Sequence, residues 1–147
     1  DYSYAVSMWL NPASLNQFTT TFFGYAASNS WISLVPFGPG SGDTMVWSGE
    51  QWFDGTLNAQ IPTGSWTHIV FVVNEGTFYG YINGELVSTM ENFPDVFTAS
   101  GANSGFSLAT NLFPWDANFS GLMDELVIYD DPLSADDVQA LFAEGSN

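Results

Sequence analysis

Short runs of apolar or alternating residues recur along the whole chain, each bounded by Gly, Pro, Asn or Ser. That spacing predicts many short strands in a sandwich or barrel rather than βαβ units. Strands are expected at about residues 4–11, 19–25, 31–37, 44–48, 51–57, 67–74, 77–82, 85–89, 105–110 and 119–129. The stretch 67–73 is apolar at consecutive positions, so it reads as a central strand covered on both faces. Asn74-Glu75-Gly76 and then Asn83-Gly84 turn the chain back on itself; Asn-Gly is the dipeptide best suited to a type I′ turn. Only the C-terminal segment has a helical pattern. Ser134 is placed to cap it, Asp137 to complete a capping box, and Val138, Leu141 and Phe142 share one face, expected on the sandwich edge.

The pattern is continuous over all 147 residues, with no linker, repeat or low-complexity tract, so residues 1–147 read as one domain. The expected fold is all-β, a two-sheet antiparallel jelly-roll sandwich with one short C-terminal helix. No stretch of eighteen apolar residues predicts a membrane span, and no signal-peptide pattern opens the chain, which reads as a soluble, processed segment.

Charge narrows the partners. The chain has no Lys or Arg against 16 Asp and Glu, a formal charge of −16. Nucleic acids, anionic lipids and sulfated or uronic-acid glycans are recognised mainly through Lys and Arg, so no nucleic-acid or membrane partner is expected. Carboxylates without basic partners must face water, accept hydrogen bonds or hold a metal. Cysteine is absent, so disulfides neither stabilise the fold nor mark its compartment. The acidic, Ser-, Thr- and Asn-rich composition suits an extracellular or cell-surface module of a larger secreted or surface protein.

Four blocks carry a resemblance: Ala5 to Pro12; Gly64-Ser65-Trp66-Thr67-His68 with the Phe78 to Gly84 hairpin; Gly105 to Ala109; and Phe119 to Tyr129, followed by Leu133-Ser134 and the helix. Together they resemble the laminin-G-like jelly roll of the concanavalin A-like lectins and glucanases. The resemblance implies two antiparallel sheets and a binding function, in glycan-binding or adhesion modules. It also implies a structural calcium held in part by Asp124, with Asp1 a second contributor, because calcium takes carboxylate and carbonyl oxygens. Asp43, Asp54 and Asp116 could serve a second ion, or could simply be solvated. The alternative for Asp124 is that it accepts backbone hydrogen bonds at a strand end.

Catalysis is not expected. Glucanases of this fold alternate carboxylates along one strand, whereas Asp124 and Glu125 are adjacent and should face opposite sides. His68, the single histidine, reads as a core residue.

The aromatics carry the expected binding chemistry, since sugar C–H faces stack on Trp and Tyr while polar side chains bind hydroxyls. Trp9 and Trp66 fall in the scaffold blocks. Trp31, Trp47, Trp52 and Trp115 remain, with Glu50 and Gln51 between two of them and Asp116 beside the last; Tyr79 and Tyr81 share a strand face. Each ring could equally plug a sandwich end. The leading expectation is a non-catalytic module binding a neutral glycan. An adhesion or protein-interaction module, and a structural spacer, are the alternatives.

Overall fold

A computed structural model describes residues 2–27, 29–97, 104–111 and 116–146, with the backbone alone for Gln51. Twelve strands and one helix follow in chain order: β1 (Ser3–Pro12), β2 (Thr19–Thr20), β3 (Phe22–Ala27), β4 (Ser30–Val35), β5 (Met45–Ser48), β6 (Phe53–Thr56), β7 (Thr67–Asn74), β8 (Thr77–Ile82), β9 (Glu85–Met90), β10 (Gly105–Leu108), β11 (Ala117–Asn118), β12 (Gly121–Tyr129) and α1 (Ala135–Gly145). The first sheet has the order β12-β1-β7-β8-β9 and the second β10-β3-β4-β5-β6, all pairs within them antiparallel. A small parallel pair, β2 with β11, lies apart from both. This is the jelly-roll sandwich expected from the pattern.

The core forms between the two five-stranded sheets. Val6, Met8, Ile69, Phe71 and Val73 of the first face Phe22, Ile32, Leu34 and Val46 of the second, all fully buried or nearly so. Each such side chain contributes roughly 1.5–3 kcal/mol by leaving water. The continuous apolar run of β7 has its predicted cause: β7 is the middle strand of its sheet, and Val70 and Val72, on its other face, are covered by Val138 of α1.

Both two-residue hairpin turns form as read. Glu75 and Gly76 have φ of 47° and 86°, Asn83 and Gly84 51° and 80°, the left-handed pair that matches strand twist. The Ser134 capping box is also present, with reciprocal bonds between Ser134 and Asp137.

Three readings differ. The stretch 19–25 is interrupted at Thr21, whose N–H and hydroxyl both donate to the Leu34 carbonyl, so it divides into β2 and β3. Residues 50–52 form a tight 3-10 turn before β6 instead of opening that strand. The helix lies across the outer face of the first sheet rather than on the sandwich edge, because Val138 finds Ala5, Val70, Val72 and Tyr81 there.

Candidate functional site

The second sheet assembles a group of aromatic rings outside the core. In β4, Ile32 and Leu34 point inward, which leaves Trp31 and Ser33 outward; the same alternation turns Phe23, Tyr25 and Trp47 outward from β3 and β5. Registration then sets them side by side. Tyr25 opposes Trp31, and Phe23, Ser33, Trp47 and Asp54 form one row across four strands.

The rings fall into two groups. Phe23 stacks on Trp31 at 5.7 Å and on Tyr25 at 6.4 Å, while Phe18 leans on Trp47 at 5.7 Å. Beside them lies a polar cluster in which Thr20 and Ser33 are buried and Asn111 and Asp116 half-buried. The Thr20 and Ser33 hydroxyls are 3.0 Å apart, and the Asn111 amide donates to the Thr20 hydroxyl at 2.7 Å and to the Asp116 carboxylate. The indole N–H of Trp47 is buried and has no hydrogen-bond partner among the described residues. A buried donor left unpaired costs free energy.

The turn after β5 completes this region. Glu50 accepts from Ser30, the neighbour of Trp31, at 2.7 Å. Trp52 ends the turn in the left-handed region, φ 52°, with 77% of its surface exposed. A bulky residue pays for that conformation of its own accord, and such local strain clusters at ligand sites.

The predicted ligand-binding residues therefore divide. Trp31, Trp47, Glu50, Trp52 and Asp116 belong to the second sheet and its loops. Trp115 and the Gln51 side chain lie outside the described residues. Tyr79 and Tyr81 are on the first sheet, across the sandwich; Tyr81 packs beneath α1 with Val70 and Val138, and burial and then Tyr79 raise its phenol pKa. Phe18, Thr20, Phe23, Tyr25, Ser33 and Asn111 were not singled out from sequence. The outward parity that Phe23 and Tyr25 share across the hairpin with Trp31 was the available signal.

Trp9 is scaffold, stacked on His68 at 4.9 Å and on Phe142 at 5.8 Å. Trp66 is 42% exposed and borders a cavity of about 490 Å³ with Trp9, Asn83, Asp124 and Glu125. Here the two carboxylates depart from the expected opposition. The β1–β12 register shifts between Ser7 and Trp9, and Glu125 takes φ 48°, a bulge that turns both side chains to one cavity. Both are exposed.

For calcium, Asp124 accepts the Glu125 N–H at 2.8 Å through one oxygen, which leaves the other for an ion. Asp1 lies outside the described residues, and among those described no three His, Asp or Glu side chains converge on a metal position. Asp43 instead closes its own loop with Ser41. The described side chains alone do not build a calcium site.

His68 is buried, but only half satisfied. Nε2 pairs with the Ser7 hydroxyl at 2.9 Å, Nδ1 has no partner among the described residues, and burial lowers the pKa to about 4.

A two-sheet jelly roll with an outward aromatic face is the class of the lectin-like sandwiches. Over residues 1–139 the chain matches the laminin-G group of the concanavalin A-like lectin/glucanases superfamily, and it belongs to that family. It is similar to domain 4 of AbnA, a GH43 extracellular arabinanase from Geobacillus stearothermophilus solved with arabinotriose: 48% identity, TM-score 0.85, covering 96% of this chain and 68% of that one. The fold is shared with a Limulus polyphemus SAP-like pentraxin (20% identity, TM-score 0.73, covering 95% and 69%). It is shared too with the CBM40 of a Ruminococcus gnavus sialidase bound to sialyllactose (14%, 0.73, 96% and 83%). No curated protein sequence matches the chain.

Proposed function

We propose that this domain is a non-catalytic carbohydrate-binding module that takes a neutral oligosaccharide on the outer face of its second sheet. The observation that carries the reading is the pairing of two aromatic groups, Phe23–Tyr25–Trp31 and Phe18–Trp47, with the hydroxyl, amide and carboxylate cluster beside them. Phe18, Tyr25, Trp31 and Trp47, exposed or half-buried, supply apolar contact for sugar faces at low entropy cost, and the half-buried Asn111 and Asp116 offer polar groups to hydroxyls, with Phe23, Thr20 and Ser33 buried behind them. The 48% identical domain was solved with arabinotriose, an uncharged pentose oligosaccharide, which agrees with a chain lacking Lys and Arg. Arabinan-type chains are accordingly the first ligands to try. The domain would work outside the cell, as one module of a larger secreted or surface protein.

The non-catalytic part of the reading rests on the sequence, in which no strand carries the alternating carboxylates of the glucanases and Asp124 and Glu125 are adjacent. Calcium enters only as a scaffold ion at Asp124, away from the aromatic face. A calcium-dependent rise in Tm that Asp124→Ala removes would support it; an identical Tm in calcium and in chelator would remove it from the reading.

The test is affinity electrophoresis on arabinan and other neutral polysaccharides, beside acidic ones, for the wild type, Trp31→Ala, Trp47→Ala and Trp115→Ala. Retardation by a neutral glycan, lost in Trp31→Ala or Trp47→Ala, is the expected result. Folded protein that no glycan retards would overturn the proposal in favour of an adhesion or spacer role.

A further inference from the structure

The ring that the proposed site leaves unused is Trp52. At 77% it is the most exposed large apolar side chain among the described residues, yet it stands on a turn that is tied down. The Gly49 N–H donates to the Trp31 carbonyl, the Glu50 N–H donates to the Ser48 hydroxyl at 3.1 Å, and the Glu50 carboxylate accepts from Ser30. The turn is thereby fastened to β4 and β5, and β6 takes up the chain directly after Trp52. A large ring on a fixed base loses little freedom when a ligand covers it, so most of its contact energy is available for binding.

Register sets this turn in line with the aromatic face. Tyr25 on β3 opposes Trp31 on β4, and Gly49 follows at the next position across, its N–H on the Trp31 carbonyl. Tyr25, Trp31 and the turn that ends at Trp52 therefore succeed one another across β3, β4 and the β5–β6 hairpin. With neighbouring strands about 4.8 Å apart, the line from β3 to β6 covers roughly 14 Å, more than a single sugar ring spans. Its other end is open. On β10 the residue opposite Tyr25, and so on the same face, is Gly105, where a β-carbon would meet nothing within 4 Å among the described residues.

We infer, on the reading of this face as a glycan site, that Trp52 is a distal subsite and that the ligand is an internal stretch of a linear neutral polysaccharide. The chain lies across the strands, from Gly105 over Tyr25 and Trp31 to Trp52. A line open at Gly105 and ending in an exposed ring has no wall to grip a chain terminus. A chain already held at Trp31 reaches Trp52 without a second association, so each added unit in that direction gains contact.

The test is isothermal titration of the wild type, Trp31→Ala, Trp52→Ala and Trp52→Tyr with linear arabino-oligosaccharides graded from disaccharide to hexasaccharide, and with the same series cut from any other neutral glycan that retards the domain. Wild-type affinity should rise with chain length. Trp52→Ala should match the wild type on the disaccharide and fall about three- to tenfold behind it on the hexasaccharide, the worth of one stacked ring. Trp52→Tyr should recover most of that difference, and Trp31→Ala should weaken short and long ligands alike. Because the Trp52 ring stands in solvent, both of its variants should keep the wild-type Tm. Equal hexasaccharide affinity in the wild type and Trp52→Ala, or a loss of the same size on the disaccharide, overturns the inference and leaves the glycan reading in place. So does a wild-type affinity that gains nothing from added units, the mark of a chain-end site. If no oligosaccharide binds the folded wild type, the glycan reading itself fails and the inference with it.

Discussion

Trp31 and Gly49 are fitted to each other: a β-carbon at position 49 would lie 2.5 Å from the Cε2 of the Trp31 indole and closer still to its nitrogen. Gly49 has φ −71°, where any residue is comfortable, so the glycine is there for space and not for conformation. Its N–H also donates to the Trp31 carbonyl at 3.2 Å. Gly49→Ala must therefore displace the ring, at a cost of roughly 1–3 kcal/mol in overpacking. The expected outcome is a folded protein with at least a tenfold loss of glycan affinity, read by isothermal titration beside a urea melt. Full affinity in Gly49→Ala would mean that the position of Trp31 is immaterial to binding.

Trp47 and Trp66, on opposite faces of the sandwich, carry opposite predictions. On the proposed reading, Trp47→Ala removes a stacking ring and the unpaired indole donor together, and binding should weaken about thirtyfold or more, the scale of an interface hot spot. Trp66→Ala, across the sandwich beside Asp124, should leave glycan affinity unchanged. A neutral ligand also predicts little change between 50 mM and 500 mM NaCl, since few charges are there to be screened. Loss of binding in Trp66→Ala with retention in Trp47→Ala would relocate the site to the first sheet.

How much of this was legible in the sequence follows from which signals are local. The turns at Glu75-Gly76 and Asn83-Gly84, the doubly covered β7 and the Ser134 cap are set by neighbouring residues and could be read directly. The candidate site was legible only in part. Trp31, Trp47 and Trp52 stood out as large rings, but the partners of Trp31, Phe23 and Tyr25, depend on the register of β3 against β4. Phe18 and Asn111 reach the site from loops ninety-three residues apart, a juxtaposition only tertiary structure supplies. Tyr79 and Tyr81 were placed on one strand face correctly, yet which sheet that strand joins decides whether they meet the tryptophans. The bulge at Glu125 was invisible to strict alternation, and it reversed the expected relation of the two carboxylates.

The capping box at Ser134 is exposed, so its contribution can be measured without disturbing the core. Ser134 accepts the Asp137 N–H at 3.2 Å, and the Asp137 carboxylate takes the Ser134 N–H at 2.9 Å. These bonds hold the Asp137 pKa below its usual value. Ser134→Ala should destabilise the domain by about 1 kcal/mol. Because α1 covers the face opposite the aromatic site, glycan affinity should be unaffected; a parallel loss of both would mean that the helix and the binding face are coupled.

His68 gives the fold a pH dependence of its own. Folded, the ring is 1% exposed beside Trp9 and Phe142 and stays neutral down to about pH 4; unfolded, it takes up a proton below about 6.5. The depressed folded pKa means that its contribution is fully present above pH 6.5, is lost as pH falls from 6.5 toward 4, and changes no further below that. The loss over the window should be about 3 kcal/mol. The histidine is isolated by comparison. Ser7→Ala/His68→Phe removes the ring and its hydroxyl partner together, keeps an aromatic against Trp9, and leaves no orphaned hydroxyl. Urea melts at pH 7 and pH 4.5 should show the wild type losing more stability than the double variant, most of that difference arising between pH 6.5 and 4.5. Equal losses would place a charged histidine comfortably in the fold, with its unpaired Nδ1 reached by solvent.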